Sequence, residues 1–258
     1  MVSRAWSLDG RVAVVVGGTS GLGRALAIGL AEAGADVVPT GRRADRIEEV
    51  ARTIEAQGRR SLRHEVDVGS RGSIDKLRDA VVTGLGRVDI LVNAAGRTFR
   101  KPTREVTESE WVDLLDTNLT GILRTCQSFF EPLRASGRGR IINIASLTSF
   151  VAFFEVAAYS ASKAAVLSLT KSLGTEWARH GICVNALAPG VFRTDLNAKL
   201  LDATDRGREL LLRTPVGRFG KAEELVGAAV LLAGDGASYI TGQSIAVDGG
   251  FLASGVNS

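Results

Sequence analysis

Short β-branched and aliphatic runs alternate along this chain with longer segments whose apolar positions recur at helical spacing. The runs Arg11–Gly17, Asp36–Thr40, Leu62–Val66, Val88–Asn93, Gly139–Ala145, Ile182–Ala188 and Ser244–Val247 predict strands. Several are apolar throughout, as strands covered on both faces are. The segments Gly21–Gly34, Ala44–Gln57, Ser70–Leu85, Glu108–Ala135, Tyr159–Arg179 and Ala222–Ala233 predict helices, and Thr107-Glu108-Ser109-Glu110 is a capping-box pattern at the start of the fourth. Such alternation implies parallel strands joined by right-handed crossovers, with helices on both faces. The expected architecture is α/β: a single doubly wound domain over residues 1–258 on a parallel seven-stranded sheet. One segment, Val191–Gly220, breaks the alternation with a mixture of Lys, Arg, Asp, Thr and Leu. It follows the sixth strand directly, at the sheet edge where open α/β folds bind ligands, so a partly helical lid is expected, with a plain surface connection as the alternative.

Composition narrows the class. In 258 residues, 45% apolar and 23% charged, there is enough core-forming material to exclude disorder. The net charge of +4 is dispersed along the chain, so no basic stripe points to nucleic acid. Cys126 and Cys183 allow one bridge at most and form no zinc-ligand cluster, which predicts no metal and a reducing compartment. The run Val12–Val16 is too short for an export signal, and Leu225–Gly234 is roughly half a membrane span. The expectation is a soluble, cytoplasmic protein. Glycine is the outlier: 30 residues, about 12% against a usual ~7%.

Part of that glycine is concentrated in Gly17-Gly18-Thr19-Ser20-Gly21-Leu22-Gly23, between the first strand and first helix. A diphosphate there would meet unpaired N–H groups and the positive end of the helix dipole. Gly17 is read as the turn, Gly21 as the close approach of phosphate, and Gly23 as the contact of helix with strand. The spacing is not the usual Gly-x-Gly-x-x-Gly, and no Gly-Lys-Ser/Thr ending supports ATP hydrolysis. The second strand closes on Thr40-Gly41-Arg42-Arg43, where an acidic residue would take the 2′-hydroxyl of NAD. Two guanidinium groups suit a 2′-phosphate, so NADP(H) is preferred and NAD(H) stays open, as does the reading of two solvated arginines.

Tyr159-Ser160-Ala161-Ser162-Lys163 sets a phenol and an ammonium four apart on one helix face. The ammonium would favour the phenolate and make Tyr159 a usable acid/base at neutral pH. An ordinary surface pair is the alternative. Ser146 closes the apolar fifth strand, where a hydroxyl could bond a substrate carbonyl. Asn93-Ala94-Ala95-Gly96 ends the fourth strand, and Asn118 lies within the fourth helix, where an Asn usually faces solvent or bonds its own backbone.

Together the glycine loop, Asp67, Asn93 to Gly96, Asn118, Ser146, Tyr159-xxx-Lys163, Pro189-Gly190, Tyr239 to Gln243 and Val247 to Gly250 resemble the short-chain dehydrogenase/reductase family from Arg11 to Gly250. The resemblance implies a Rossmann-type fold and hydride transfer between nicotinamide and a carbonyl or secondary alcohol. It makes Tyr159 the proton donor in reduction and Ser146 the residue that orients the oxygen. Lys163 would bind the nicotinamide ribose and lower the Tyr159 pKa, and Asn118 would hold a relay water. Gly17, Thr19, Ser20, Gly21, Leu22 and Gly23 would hold the phosphates, Asp67 and Val68 the adenine, and Pro189, Gly190, Val191 and Thr194 the nicotinamide amide, while Asn93, Ala94, Ala95 and Gly96 would line the cofactor. Val16 and Ala94 depart from the family pattern at supporting positions.

Arg100-Lys101-Pro102, Ser146 to Ser149, Arg213 to Pro215 and Arg218 to Gly220 are similar to the branch that oxidises gluconate-type sugar acids. Phe150, Phe153 and Phe154 would instead give an apolar wall, which keeps a 3-oxoacyl thioester or hydrophobic ketone open. Two other readings are a catalytically idle nucleotide-binding scaffold and an isomerase or dehydratase using Glu155. A small-molecule substrate and a homotetramer complete the expectation, with no nucleic acid and no membrane as partners.

Overall fold

The computed structural model describes residues 6–193, 198–202 and 204–255. Seven parallel strands stand in the order β3-β2-β1-β4-β5-β6-β7: β1 Val12–Val16, β2 Asp36–Gly41, β3 His64–Glu65, β4 Ile90–Asn93, β5 Gly139–Ile144, β6 Ile182–Pro189 and β7 Ser244–Val247. The helices are α1 Gly21–Glu32, α2 Ala44–Ala56, α3 Arg71–Leu85, α4 Glu108–Leu115, α5 Gly121–Ala135, α6 Ala157–Trp177, α7 Ala198–Leu201, α8 Asp205–Leu212 and α9 Val226–Ala233. The strand order reverses between β1 and β4, which opens a crevice at their carboxyl ends.

Alternation along β1 explains the two layers. Val12, Val14 and Val16 join a core with Ile74 and Leu77 of α3, Phe129 of α5 and Val166 of α6. Ala13 and Val15 face the opposite core, with Leu26 and Leu30 of α1, Val50 and Ile54 of α2 and Ala229 of α9. The continuous apolar character of β1 is thus the consequence of helices on both sides. The predicted capping box forms: Thr107 Oγ1 accepts from Glu110 N–H at 3.2 Å, and Glu110 Oε2 accepts from Thr107 N–H at 2.8 Å.

Two expectations are corrected. The strand expected over Leu62–Val66 pairs only at His64 and Glu65, at the sheet edge. The helix expected over Glu108–Ala135 is not continuous. A π-helical turn at Asp116–Thr120 separates α4 from α5, with Gly121 N–H bonded to Asp116 O, five residues back. The segment 191–220 is partly helical as expected, carrying α7 and α8 and closed at its base by a bridge between Phe192 and Gly220. Among the described residues no helix is long and apolar enough to cross a membrane.

Gly23 welds the first helix to the glycine loop. A Cβ there would stand 2.1 Å from the Gly17 carbonyl oxygen and 3.2 Å from Ala94 Cβ. In an open helix Gly→Ala gains about 1 kcal/mol. Here the clash with backbone reverses the sign, and Gly23→Ala is expected to destabilise by roughly 1–3 kcal/mol, lowering Tm by several degrees. An unchanged or raised Tm in thermal unfolding would contradict this contact.

Candidate active site

At the nucleotide end, the backbone is shaped around close approaches. Gly17 has φ +85°, and a Cβ on it would lie 2.5 Å from Ala95 N. The Gly17 and Gly18 N–H groups both donate to Thr40 O, at 2.9 and 3.0 Å, which locks the loop to the end of β2. Gly21, expected to admit phosphate, also has φ +51°, so backbone conformation alone favours glycine there. Ser20 is the N-cap of α1, yet its side chain makes no capping bond. The first N–H groups of α1 therefore keep the anion-receiving character of an uncovered helix start, and the loop fits a dinucleotide diphosphate. Leu22 is half-buried behind it.

Arg42 and Arg43 are exposed and make no ion pair with any described residue, while neighbouring Arg46, Arg52 and Arg63 are each paired with a glutamate or aspartate. Two guanidinium groups thus remain free at the end of β2. Gly41 adds a constraint that spacing alone does not reveal: a Cβ there would stand 2.9 Å from Thr19 Oγ1, and Thr19 is buried. Asp67 is exposed and accepts from Gly69 N–H at 2.9 Å; Val68 is buried beside it, a Cβ on Gly121 falling 3.0 Å from Val68 Cβ.

At the end of β4, Ala94 and Ala95 are half-buried and Gly96 is exposed, lining the crevice as expected. Asn93 does not. Its side chain is 2% exposed and turns into the core, where Nδ2 donates to Asn143 Oδ1 at 2.8 Å, and Asn143 Nδ2 continues to Thr170 Oγ1 at 2.9 Å. Asn93 Oδ1 is buried without a hydrogen-bond partner among the described residues. Asn143 was missed, although a polar residue inside Ile141-Ile142-Asn143-Ile144 is a visible signal. Pro189 ends β6, Gly190 N–H donates to Val247 O at 2.8 Å, and Val191 O accepts from Gly220 N–H at 2.9 Å. Thr194 lies outside the described residues.

The catalytic candidates converge at the carboxyl end of β5. Lys163 is 4% exposed, donates from Nζ to Ile144 O at 2.6 Å, and stands 5.8 Å from the Tyr159 ring centroid. A Cβ on Gly96 would be 3.8 Å from Lys163 Nζ and 3.4 Å from Asn118 Oδ1. The π-helical turn carries Asn118 inward rather than to solvent: it is fully buried, its Oδ1 accepts from Arg97 N–H at 2.9 Å, and its Nδ2 donates to Arg97 O at 2.9 Å and Ser162 Oγ at 3.1 Å. Ser162, also missed, donates to Tyr159 O at 2.7 Å. Asn118 thereby pins the loop after β4 to the first turns of α6.

Burial sets the protonation states. It pushes the Tyr159 phenol up, with the Ser146 side chain acting in the opposite direction. Desolvation outweighs the Ser146 contribution in the free protein, and the Lys163 ammonium beside the ring is itself pushed down to about 8 by burial.

That depressed lysine has a linkage consequence. Between about pH 8 and 10.5 the unfolded chain holds a proton on Lys163 that the folded chain has released, so its contribution to stability rises with pH across that window. At neutral pH the folded state carries the charge at a cost of roughly 3 kcal/mol. Lys163→Met is expected to remove this rise and to increase the neutral-pH stability of the cofactor-free protein. Parallel stability–pH curves for the two proteins, measured by denaturant unfolding, would contradict it.

A family model described as enoyl-(acyl carrier protein) reductase matches residues 16–252. Gluconate 5-dehydrogenase of Gluconobacter oxydans is 39% identical over 96% of this chain and 97% of its own. The 2-dehydro-3-deoxy-D-gluconate 5-dehydrogenase of Escherichia coli is 41% identical, covering 98% of this chain and 100% of its own. A gluconate 5-dehydrogenase from Burkholderia cenocepacia, solved in complex with NADP and tartrate, superposes with a TM-score of 0.94 at 38% identity, over 99% of this chain and 100% of that one. With its parallel sheet, its glycine loop and its Ser146, Tyr159 and Lys163 gathered at one strand end, the chain belongs to the short-chain dehydrogenase/reductase family.

Proposed function

We propose that the protein is an NADP(H)-dependent oxidoreductase that interconverts a secondary alcohol and a carbonyl on a gluconate-type sugar acid. The observation that carries the reaction is the convergence of Ser146, Tyr159 and the buried Lys163 at the carboxyl end of β5. NADP(H), when bound, supplies or accepts the hydride. Tyr159 gives its proton to the substrate oxygen in reduction and takes it back in oxidation, while Ser146 donates a hydrogen bond to that oxygen. Lys163 would hold the nicotinamide ribose, whose hydroxyl oxygens would solvate its charge, and that charge would favour the phenolate. Asn118 has both N–H groups and one Oδ1 lone pair engaged, and the second lone pair is left for a relay water. Gly17, Thr19, Ser20, Gly21, Leu22 and Gly23 form the diphosphate loop, with Arg42 on the 2′-phosphate and Arg43 beside it.

The sugar-acid substrate is supported by the relatives. Arg100 Nε pairs with Glu155 at 2.7 Å, and Arg206 of α8 donates to the adjacent Phe154 O at 3.3 Å. Burial and the neighbouring Arg100 charge both hold Arg206 below its ordinary pKa. Glu209 and Glu155 act on Arg206 in the opposite direction, so two cations and two carboxylates stand together at this rim. Glu155, held by Arg100 and at φ +64°, is thereby a rim residue rather than an isomerase base. The contact of Arg206 with Phe154 supports reading 191–220 as a lid on the single domain. A groove between the turn before α4 and the start of α6, lined by Val106, Trp111, Val112 and Ala157 and with Val112 59% exposed, supports a homotetramer. The two free, buried cysteines suit a reducing compartment, and a cytoplasmic setting is part of the proposal.

Steady-state oxidation of gluconate with NADP+ tests the reading, and Tyr159→Phe is the control that separates an enzyme from an idle nucleotide-binding scaffold. The variant is expected to lose about 10²–10⁴-fold in kcat with NADPH affinity nearly unchanged. Wild-type turnover in the variant, or none in the parent with any sugar acid, would overturn it.

Cofactor choice is tested best at Arg42 alone, since an acid at Gly41 would first have to displace Thr19. One charge-assisted bond at an exposed position predicts that Arg42→Ala lowers the NADPH-over-NADH ratio of kcat/KM by about tenfold. An unaltered ratio would show that this guanidinium does not meet the nucleotide.

A further inference from the structure

Ser146 Oγ is contacted twice by one neighbour. Thr148 N–H donates to it at 3.1 Å, and Thr148 Oγ1 donates to it at 3.1 Å as well. Thr148 is 7% exposed and lies in the 3-10 turn Leu147–Ser149. That turn is anchored to α6 by Ser149 Oγ donating to Lys163 O at 2.8 Å. A hydroxyl offers one proton and two acceptor positions. Both acceptor positions of Ser146 are filled from Thr148, and only its proton is left to point into the site.

We propose that Thr148 is a positioning residue for hydride transfer: by donating twice to Ser146 Oγ it obliges Ser146 to act as a donor toward the reacting oxygen. The proposal rests on the roles given above to Ser146 and Tyr159. Without it, Ser146 could accept a proton from Tyr159 or from the substrate hydroxyl, and either bond would turn a reacting proton away from its path. With both lone pairs occupied, the phenol proton has the substrate oxygen as its remaining partner. Donation into Ser146 Oγ also polarises its O–H and strengthens the bond it makes next. The N–H contact is fixed by the turn, so the part that the side chain controls is the second lone pair.

Thr148→Val removes that donor while keeping the branched shape and the N–H. In gluconate oxidation with NADP+, kcat is expected to fall about three- to tenfold, with KM for gluconate and Kd for NADPH within about twofold. Thr148→Ser, which restores the hydroxyl, is expected to recover kcat to within about twofold. The midpoint of the rise of oxidation rate with pH should move up in Thr148→Val, because a Ser146 released from donating no longer stabilises the phenolate, and return in Thr148→Ser. In a Ser146→Ala background, Thr148→Val should add nothing to the loss. A wild-type kcat and pH midpoint in Thr148→Val, equal impairment of Thr148→Ser, or an undiminished effect in the Ser146→Ala background would each overturn the proposal. Wild-type turnover in Ser146→Ala alone would instead overturn the assignment of Ser146 itself.

Discussion

A single buried ammonium organises the site. Lys163 donates to Ile144 O at 2.6 Å and is 4% exposed, so β5 and α6 are tied together at the point where the strands end. Backbone carbonyls at the carboxyl end of a parallel strand have no further strand to pair with, and one of them becomes the lysine's partner. The same position brings Lys163 beside Tyr159 and Gly96, and so beside Asn118. Desolvation of that charge costs stability and pushes the lysine down to about 8. The proposed function uses the imbalance. A ligand rich in hydroxyl oxygen would stabilise the charge and raise the lysine's pKa, and the stabilised charge would favour the phenolate of Tyr159. Burial alone leaves the phenol raised, so in this account the free protein is not yet the acid/base catalyst.

The π-helical turn at Asp116–Thr120 supports that arrangement from the other side. One extra residue in the turn rotates Asn118 out of solvent and into the gap between the loop after β4 and the start of α6. Its amide satisfies both the N–H and the C=O of Arg97, which would otherwise be poorly paired in an irregular loop. π turns are uncommon and concentrate at functional sites, since they trade regular bonding for an altered side-chain direction. Here the altered direction holds in place the segment that leads out to Arg100 and its contact with Glu155.

Much of this was legible in the sequence. Apolar runs such as Val12–Val16 fixed strand positions because both faces are covered, and the spacing of Tyr159 and Lys163 put them on one helix face. What was not legible depends on close three-dimensional approach. The π turn leaves no mark in helical periodicity, so periodicity alone left Asn118 where an Asn usually faces solvent or bonds its own backbone, and only the family resemblance put it at the site. Asn93 matched a motif that lines the cofactor crevice, but its side chain pairs with Asn143 across β4 and β5, a match set by strand register. The link of Gly41 to Thr19 joins the end of β2 to the glycine loop. The direction of the Tyr159 shift depends on how far desolvation outweighs a neighbouring charge, and burial is a property of the folded chain alone.

Nucleotide binding is expected to raise the pKa of Lys163 by solvating its charge. Isothermal calorimetry of NADP+ binding at pH 8, in buffers of differing ionisation enthalpy, measures this directly. With the free lysine pushed down to about 8, uptake of a fraction of a proton is expected on binding, and none at this site in Lys163→Met. A binding heat that is the same in every buffer would contradict it.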